Sequence, residues 1–199
     1  PREILIEHNF YEAIKDKLIQ NLHYFSNKVD TILISDYENG VIFDEIIDEC
    51  LKIAEKTGKN VIVDSQGNLG RFQKATLLTP NQPEAENVVG YKIKNKQTLE
   101  KAGKDLLALS NAKAVLITRG SEGMALFESN GLTTHIPAFN KRDVFDVTGA
   151  GDTVVATFSL GISSGLEMRD AMLLANLAAS IVIRKFGTSV TSINEMKKV

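Results

Sequence analysis

Apolar residues first recur with helical spacing. Ile14, Leu18, Leu22 and Phe25 stand at i, i+4, i+8 and i+11 and predict a helix over about residues 10–26 with one apolar face. Thr31-Ile32-Leu33-Ile34 is a short, unbroken apolar run rich in β-branched residues, which predicts a strand covered on both faces. A second helical stripe, Phe43, Ile46, Ile47, Cys50, Leu51 and Ala54, is expected to stop at Gly58. Further strands are predicted at Val61-Ile62-Val63, at Ala75-Thr76-Leu77-Leu78 and at Ala114-Val115-Leu116-Ile117. The last of these follows a helix marked by Leu99, Ala102, Leu106 and Leu109. Met124-Ala125-Leu126-Phe127 and Leu132-Thr133-Thr134-His135-Ile136 flank Ser129-Asn130-Gly131, and Asn-Gly between strand-like runs predicts a hairpin. Two helices, about 149–165 and 168–186, close the pattern. Strands alternating with helices require right-handed crossovers. The predicted fold is α/β: a three-layer α/β/α, Rossmann-like domain whose mostly parallel sheet carries a small antiparallel hairpin at one edge.

The chain has 199 residues, 43% hydrophobic and 24% charged, which fits one domain with a real core. A net charge of −2 predicts neither a nucleic-acid surface nor one for anionic membranes. No apolar run approaches the length that spans a bilayer, so no membrane partner is expected. Cys50 is the only cysteine, which excludes an internal disulfide and a thiolate metal cluster, and its place on an apolar helical face predicts a small core residue. A reducing, cytoplasmic setting is the expectation. Because the chain opens at Pro1 rather than Met, it is expected to be a processed or excised piece.

Open α/β sheets bind ligands beyond the carboxyl ends of their strands. Here those ends carry Ser35-Asp36, Asp64, Thr79-Pro80-Asn81 and Thr118-Arg119-Gly120, a polar convergence. Several familiar signatures fail. Gly58-Lys59 and Gly103-Lys104 lack the spacing of a phosphate-binding P-loop, no GxGxxG opens a first βα unit, and His8, His23 and His135 show no zinc-protease spacing. Gly161-Ile162-Ser163-Ser164-Gly165 has the spacing of a nucleophile elbow but falls at a predicted helix end, with every His before it, so a helix terminator is expected.

The strongest chemistry lies in Val144-Phe145-Asp146-Val147-Thr148-Gly149-Ala150-Gly151-Asp152-Thr153. A loop with two glycines and an alanine lets backbone N–H groups approach an anion, and the helix that starts there adds its positive end. A carboxylate in such a turn repels a resting phosphate, so Asp152 is expected to face another atom: a hydroxyl losing its proton as it attacks a phosphoryl group. Taken alone, Asp152 has a lesser alternative as a cap of the helix start.

These residues resemble the ribokinase-like (PfkB) carbohydrate kinases, whose signature near the C-terminus is Asp-x-x-Gly-Ala-Gly-Asp. Thr79-Pro80-Asn81-Gln82-Pro83-Glu84 resembles the family's Asn-x-x-Glu element, and Thr118-Arg119-Gly120-Ser121-Glu122-Gly123 its nucleotide-lining segment. The resemblance implies a ribokinase-like fold, ATP and Mg²⁺ as cofactors, and a sugar or sugar phosphate as substrate. It implies Asp152 as general base, with the N–H groups of Gly149, Ala150 and Gly151 stabilising the transferred group. Asn81 and Glu84 would organise Mg²⁺ through water, Thr118, Gly120, Gly123 and Asn176 would hold the nucleotide, and Asp36 and Asp64 would lie on the substrate side. Local alternatives stand beside these roles: an N-cap with an acidic first turn at Asn81 and Glu84, a tight turn at Gly123, and a backbone carbonyl rather than a base as the partner of Asn176.

Within the family, Ser35-Asp36-Tyr37-x-x-Gly40, Leu77-Leu78-Thr79-Pro80-Asn81 and Lys185-x-Gly187-Thr188 resemble the branch that phosphorylates heptose 7-phosphate for ADP-heptose synthesis. Two positions depart from it. Asn39 and Gln66 stand where that branch usually has lysine, and each removes a positive charge near the expected phosphates. Family members are considerably longer, and their N-terminal part supplies the first strands, the lid and most sugar contacts. Residues 1–199 are therefore expected to form the C-terminal, nucleotide-binding part of a kinase domain. The sheet edge so exposed invites partners, a second copy of the chain among them. The expected function is ATP-dependent phosphorylation of a sugar or sugar-phosphate hydroxyl. The competing readings are a non-catalytic nucleotide-binding or assembly module, and a kinase for another sugar or a nucleoside.

Overall fold

The computed structural model describes residues 2–139 and 145–199, with residues 2–10 as backbone only. Val144, the first residue of the loop motif, lies outside the described residues. Helix α1 (Arg2–Ser26) precedes strand β1 (Thr31–Asp36), and α2 (Asp44–Thr57) leads to β2 (Asn60–Ser65). A 3₁₀ turn (Leu69–Arg71) connects to β3 (Leu77–Leu78), then α3 (Gln82–Val89) and α4 (Lys96–Ser110) to β4 (Ala114–Thr118). The hairpin β5 (Met124–Glu128) and β6 (Thr133–Ile136) follows, and α5 (Ala150–Ser163), α6 (Met168–Val182) and the single turn α7 (Ile193–Met196) complete the chain.

The six strands lie in sequence order, β1 to β4 parallel and β5 and β6 antiparallel. Alternation along the strands feeds two cores. Val61, Val63, Leu78, Val115 and Ile117 face α2, α4 and the partly buried Leu18 and Leu22 of α1. Ile62, Leu77, Leu116 and Leu126 face Val154, Val155 and Phe158 of α5 and Met172 and Ala175 of α6. The three layers, the parallel sheet and the antiparallel edge are as expected. Cys50 is buried in the first core, which pushes its thiol up to about 11. The Gly161 to Gly165 segment ends α5, with Leu166 N donating to Gly161 O at 3.1 Å and Gly165 at φ +85°.

Several expectations need correction. β1 is covered on one face only: Leu33 is 44% exposed, because the α5–α6 layer leaves this edge strand open. The strand predicted over residues 75–78 keeps only Leu77 and Leu78, since the backbone of Thr76 and its hydroxyl are both bonded to Val61. Phe25 and Leu109 lie outside the cores, at 54% and 45% exposure, and Phe25 instead stacks edge-on with Tyr24. The last long helix stops at Val182 rather than near 186, where the carbonyl of Ile183 accepts the N–H groups of Phe145 and Asp146 and so docks the glycine loop. Among the described residues, no helix is long and apolar enough to cross a membrane.

Gly103 on α4 shows how tightly the first core closes. A Cβ at this position would sit 2.3 Å from the ring of Phe127, which is itself 1% exposed. Helix propensity favours Ala over Gly by about 1 kcal/mol, and overpacking costs about 1–3 kcal/mol. Overpacking wins, because the ring is held between α4 and the edge of His135. Gly103→Ala is expected to lower unfolding stability by up to about 2 kcal/mol in urea melts.

Candidate active site

A parallel sheet puts its strand carboxyl ends along one edge, and here that edge forms a cleft of about 210 Å³. Asp36 and Tyr37 come from the end of β1, and Asp64 and Gln66 from that of β2. Asn81 and Glu84 come from the start of α3, and Thr118 from the end of β4. The opposite wall is the start of α5, with Gly149, Gly151 and Asp152. A parallel bridge between Asn81 and Thr118, with Thr118 N donating to Pro80 O at 3.0 Å, draws the β3 and β4 ends together. A second, more apolar cleft of about 390 Å³ adjoins it and shares Thr118 and Gly151. Its walls include Gly120, Gly123, Phe139, Ala150, Val154 and Asn176. The structure thus brings every sequence-predicted site residue to one or the other of two joined clefts.

The glycine loop is held from below. Asp146 Oδ1 accepts from the hydroxyl and N–H of Thr148, and Oδ2 from Gly187 N at 3.1 Å, which hold its carboxyl below the usual range. Gly149 adopts a left-handed φ of +77° and is the N-cap of α5, with no side chain to close the helix start. The N–H groups of Gly149 and Gly151 make no backbone hydrogen bond among the described residues, whereas Ala150 N donates to Val147 O at 3.1 Å. Two of the three expected anion-binding N–H groups are therefore available, and the third is engaged.

Asn81 and Glu84 form a capping box: Asn81 Oδ1 accepts from Glu84 N at 2.9 Å and Glu84 Oε2 accepts from Asn81 N at 2.8 Å. Glu84 Oε1 makes no hydrogen bond among the described residues. Burial lifts the Glu84 carboxyl above the usual range, and the charge of Asp64 adds to that lift. Asp64 is raised too, by burial first and by the charge of Asp152, against the Thr79 hydroxyl 3.1 Å from its Oδ1. No group of three or more acidic, His or Cys side chains converges as a direct metal cage among the described residues, so the half-buried Glu84 carboxyl with the Asn81 amide fits a hard divalent cation held mainly through water.

Other assigned residues carry structural bonds. Asp36, 4% exposed, accepts from Glu38 N at 2.9 Å and pairs with Arg71 at 3.2 Å. Asn176 Nδ2 donates to Pro137 O at 2.8 Å, so its amide meets a backbone carbonyl while its residue lines the second cleft. Gly123 is sterically required, since a Cβ there would stand 2.0 Å from Ile136 O. Two residues given no role from the sequence bear on the site: Tyr37 lines the cleft and Arg71 braces Asp36 from behind it. Tyr37 donates to Asp152 Oδ1 at 3.1 Å, and its polar aromatic side chain just beyond a strand end was a legible signal. Arg71 offered none: it ends the short 3₁₀ turn before β3 and reaches Asp36 only through the fold.

Asp64 makes stability depend on pH. Its folded-state proton is held more tightly than in the unfolded chain, so this contribution is fully present below the usual carboxylate range. It is lost as pH rises through the raised folded value. Asp64→Asn keeps an acceptor for Thr79 without the charge. Thermal unfolding of this variant is expected to have a higher midpoint than the parent at about pH 8 and none of that advantage near about pH 3.

Residues 2–195 match the family model described as pfkB family carbohydrate kinase. The chain is 41% identical to the bifunctional protein HldE of Citrifermentans bemidjiense over 92% of its length and 38% of that relative's. It is 42% identical to that of Geobacter metallireducens over 89% of its length and 36% of that relative's. The chain thus spans less than two-fifths of these relatives. Among solved structures, Arabidopsis thaliana ribokinase complexed with ribose and ATP superposes with a TM-score of 0.79 at 25% identity, covering 90% of this chain and 58% of that one. Escherichia coli phosphofructokinase-2 in complex with potassium superposes at 0.76 and 21% identity, over 90% of this chain and 60% of that one, a likeness of fold. With a ribokinase-like sheet, a glycine loop that starts α5 and a family match along nearly its whole length, the chain belongs to the PfkB family of carbohydrate kinases.

Proposed function

We propose that this chain is the C-terminal, nucleotide-binding part of a kinase that moves the γ-phosphoryl group of ATP onto a sugar hydroxyl. The observation that carries this reading is the place of Asp152. It stands on the first turn of α5, where an acidic cleft and an apolar cleft meet at Gly151. Asp152 takes the proton of the attacking hydroxyl. The N–H groups of Gly149 and Gly151, with the positive end of α5, stabilise charge on the group in transit. Ala150 joins them once its N–H leaves Val147 O.

The apolar cleft suits the base and ribose of ATP, with Thr118, Gly120, Gly123 and Asn176 along its walls. Asn81 and Glu84 would hold Mg²⁺, largely through water, with Asp64 on the acceptor side of the same cleft. Bound there, the ion would supply neutralisation of the nucleotide phosphates. The acceptor is proposed to be a sugar phosphate, heptose 7-phosphate in particular. That part rests on the likeness of the strand-end loops to the heptose-phosphate branch and on relatives about 40% identical. A cytoplasmic setting is consistent with soluble ATP and sugar phosphate as substrates.

Two measurements test this reading. In calorimetry with Mg·ADP, Glu84→Gln keeps an acceptor for the capping box but loses the charge. It is expected to stay folded, with a thermal midpoint at or above the parent's at neutral pH, and to bind about 10-fold more weakly. In phosphoryl-transfer assays on the full-length protein, Asp152→Asn is expected to lower turnover by about 10²–10⁴ while nucleotide affinity stays within about 2-fold. Unchanged turnover removes Asp152 as the base, and saturable binding without any transfer favours the nucleotide-binding module.

A further inference from the structure

We propose that Tyr37 is a positioning residue, whose phenol fixes the Asp152 carboxylate so that one oxygen is held and the other is left to take a proton. This rests on the reading of Asp152 as the base. Asp152 is solvent-exposed on the first turn of a helix whose N-cap has no side chain. A carboxylate there rotates freely unless something grips it. The one hydrogen bond to its side chain among the described residues comes from Tyr37, 115 positions away, whose Oη donates to Oδ1 at 3.1 Å. The two oxygens are thereby made unequal, with Oδ1 engaged and Oδ2 open.

Tyr37 can do this because the turn that presents it is pinned. Asp36, the last residue of β1, is buried. Its Oδ1 accepts from Glu38 N at 2.9 Å, closing the turn, and its Oδ2 takes the guanidinium of Arg71 at 3.2 Å. Arg71 is anchored in turn on Ile42 O and on Asp44 Oδ1, each at 2.8 Å. Glu38 holds a left-handed φ of +56°, a strained conformation for that residue. Arg71, Asp36 and Glu38 therefore form a rigid base for an aromatic side chain with few rotatable bonds, half exposed on the cleft wall. A phenol also suits the task chemically. Beside the Asp152 carboxylate it stays protonated above its ordinary range, because the hydrogen bond and the charge both oppose its ionisation. It thus donates throughout neutral pH.

In the transfer step the acceptor O–H proton passes to Asp152 Oδ2 as the oxygen–phosphorus bond forms. The bond from phosphorus to the bridging oxygen breaks, and its electron pair leaves with ADP. Tyr37 keeps its own proton. It contributes orientation, for which losses of one to two orders of magnitude in turnover are ordinary.

The test begins with the 199-residue chain, which has four tyrosines. Ultraviolet titration of the parent minus Tyr37→Phe isolates Tyr37, and the same difference is taken in an Asp152→Ala background. Tyr37 is expected to ionise above the ordinary tyrosine range in the parent and to fall back toward it without Asp152. Equal titration in both backgrounds overturns the proposal. In the full-length protein, Tyr37→Phe is expected to lower kcat about 10–50-fold with KM for ATP within about 2-fold. Added to Asp152→Asn, it is expected to cost less than about 2-fold more, because it acts through the group already removed. Fully additive losses show that Tyr37 acts apart from Asp152 and overturn the proposal. Full turnover in Asp152→Asn overturns the base assignment instead, while the titration still reports whether the contact exists. Thermal midpoints of the Tyr37→Phe chain within about 2 °C of the parent separate lost orientation from lost folding.

Discussion

Everything in this site depends on how α5 is seated. Val154, Val155 and Phe158 bury one face of the helix against Ile62, Leu77 and Leu116, and this apolar contact, with the packing of α6 and the docking of the preceding loop on Ile183 O, decides where its first turn ends up. The parallel order of β1 to β4 puts all four strand ends at that same edge. A helix start, with its unpaired N–H groups and positive end, is therefore held facing a rim of carboxylates. Were α5 to slide by one turn, about 5.4 Å, Asp152 would leave Tyr37 and the cleft would lose its opposite wall.

The rim itself is an electrostatic compromise. Asp64 and Glu84 are partly withdrawn from water and repel one another, and both are pushed toward their neutral forms. Such crowding opposes folding stability at neutral pH, and general experience places it where charge is to be neutralised by a ligand. The protein limits the cost locally. Thr79 donates to Asp64, the Asn81 N–H donates to Glu84, and Arg71 neutralises Asp36 behind the cleft.

Several residues hold two jobs at once. Asn81 and Glu84 close the start of α3 with one set of atoms and present another to the cleft. Asn176 ties residues 137–139 to α6 and so shapes the wall of the apolar cleft through the backbone. Gly123 permits the close approach of the hairpin while lining that same cleft. For such residues, a structural bond and a ligand contact are complementary, because a side chain fixed by one partner is already oriented for the other.

By itself the sequence determined the layers, the parallel strands implied by alternating elements, the antiparallel hairpin edge, and the polar strand ends, since each rests on periodicities local to a dozen residues. It also singled out the Gly149 to Asp152 turn, because glycines beside a carboxylate at a helix start are a local chemical oddity. Tertiary structure alone decided that Leu33 faces solvent, that Ala150 spends its N–H on Val147, and that Arg71 braces Asp36. It alone joined Tyr37 to Asp152 across the cleft. The reason is distance along the chain: a hydrogen bond between residues 37 and 152 leaves no periodicity, spacing or composition behind, and exists only once α5 has packed on its face of the sheet.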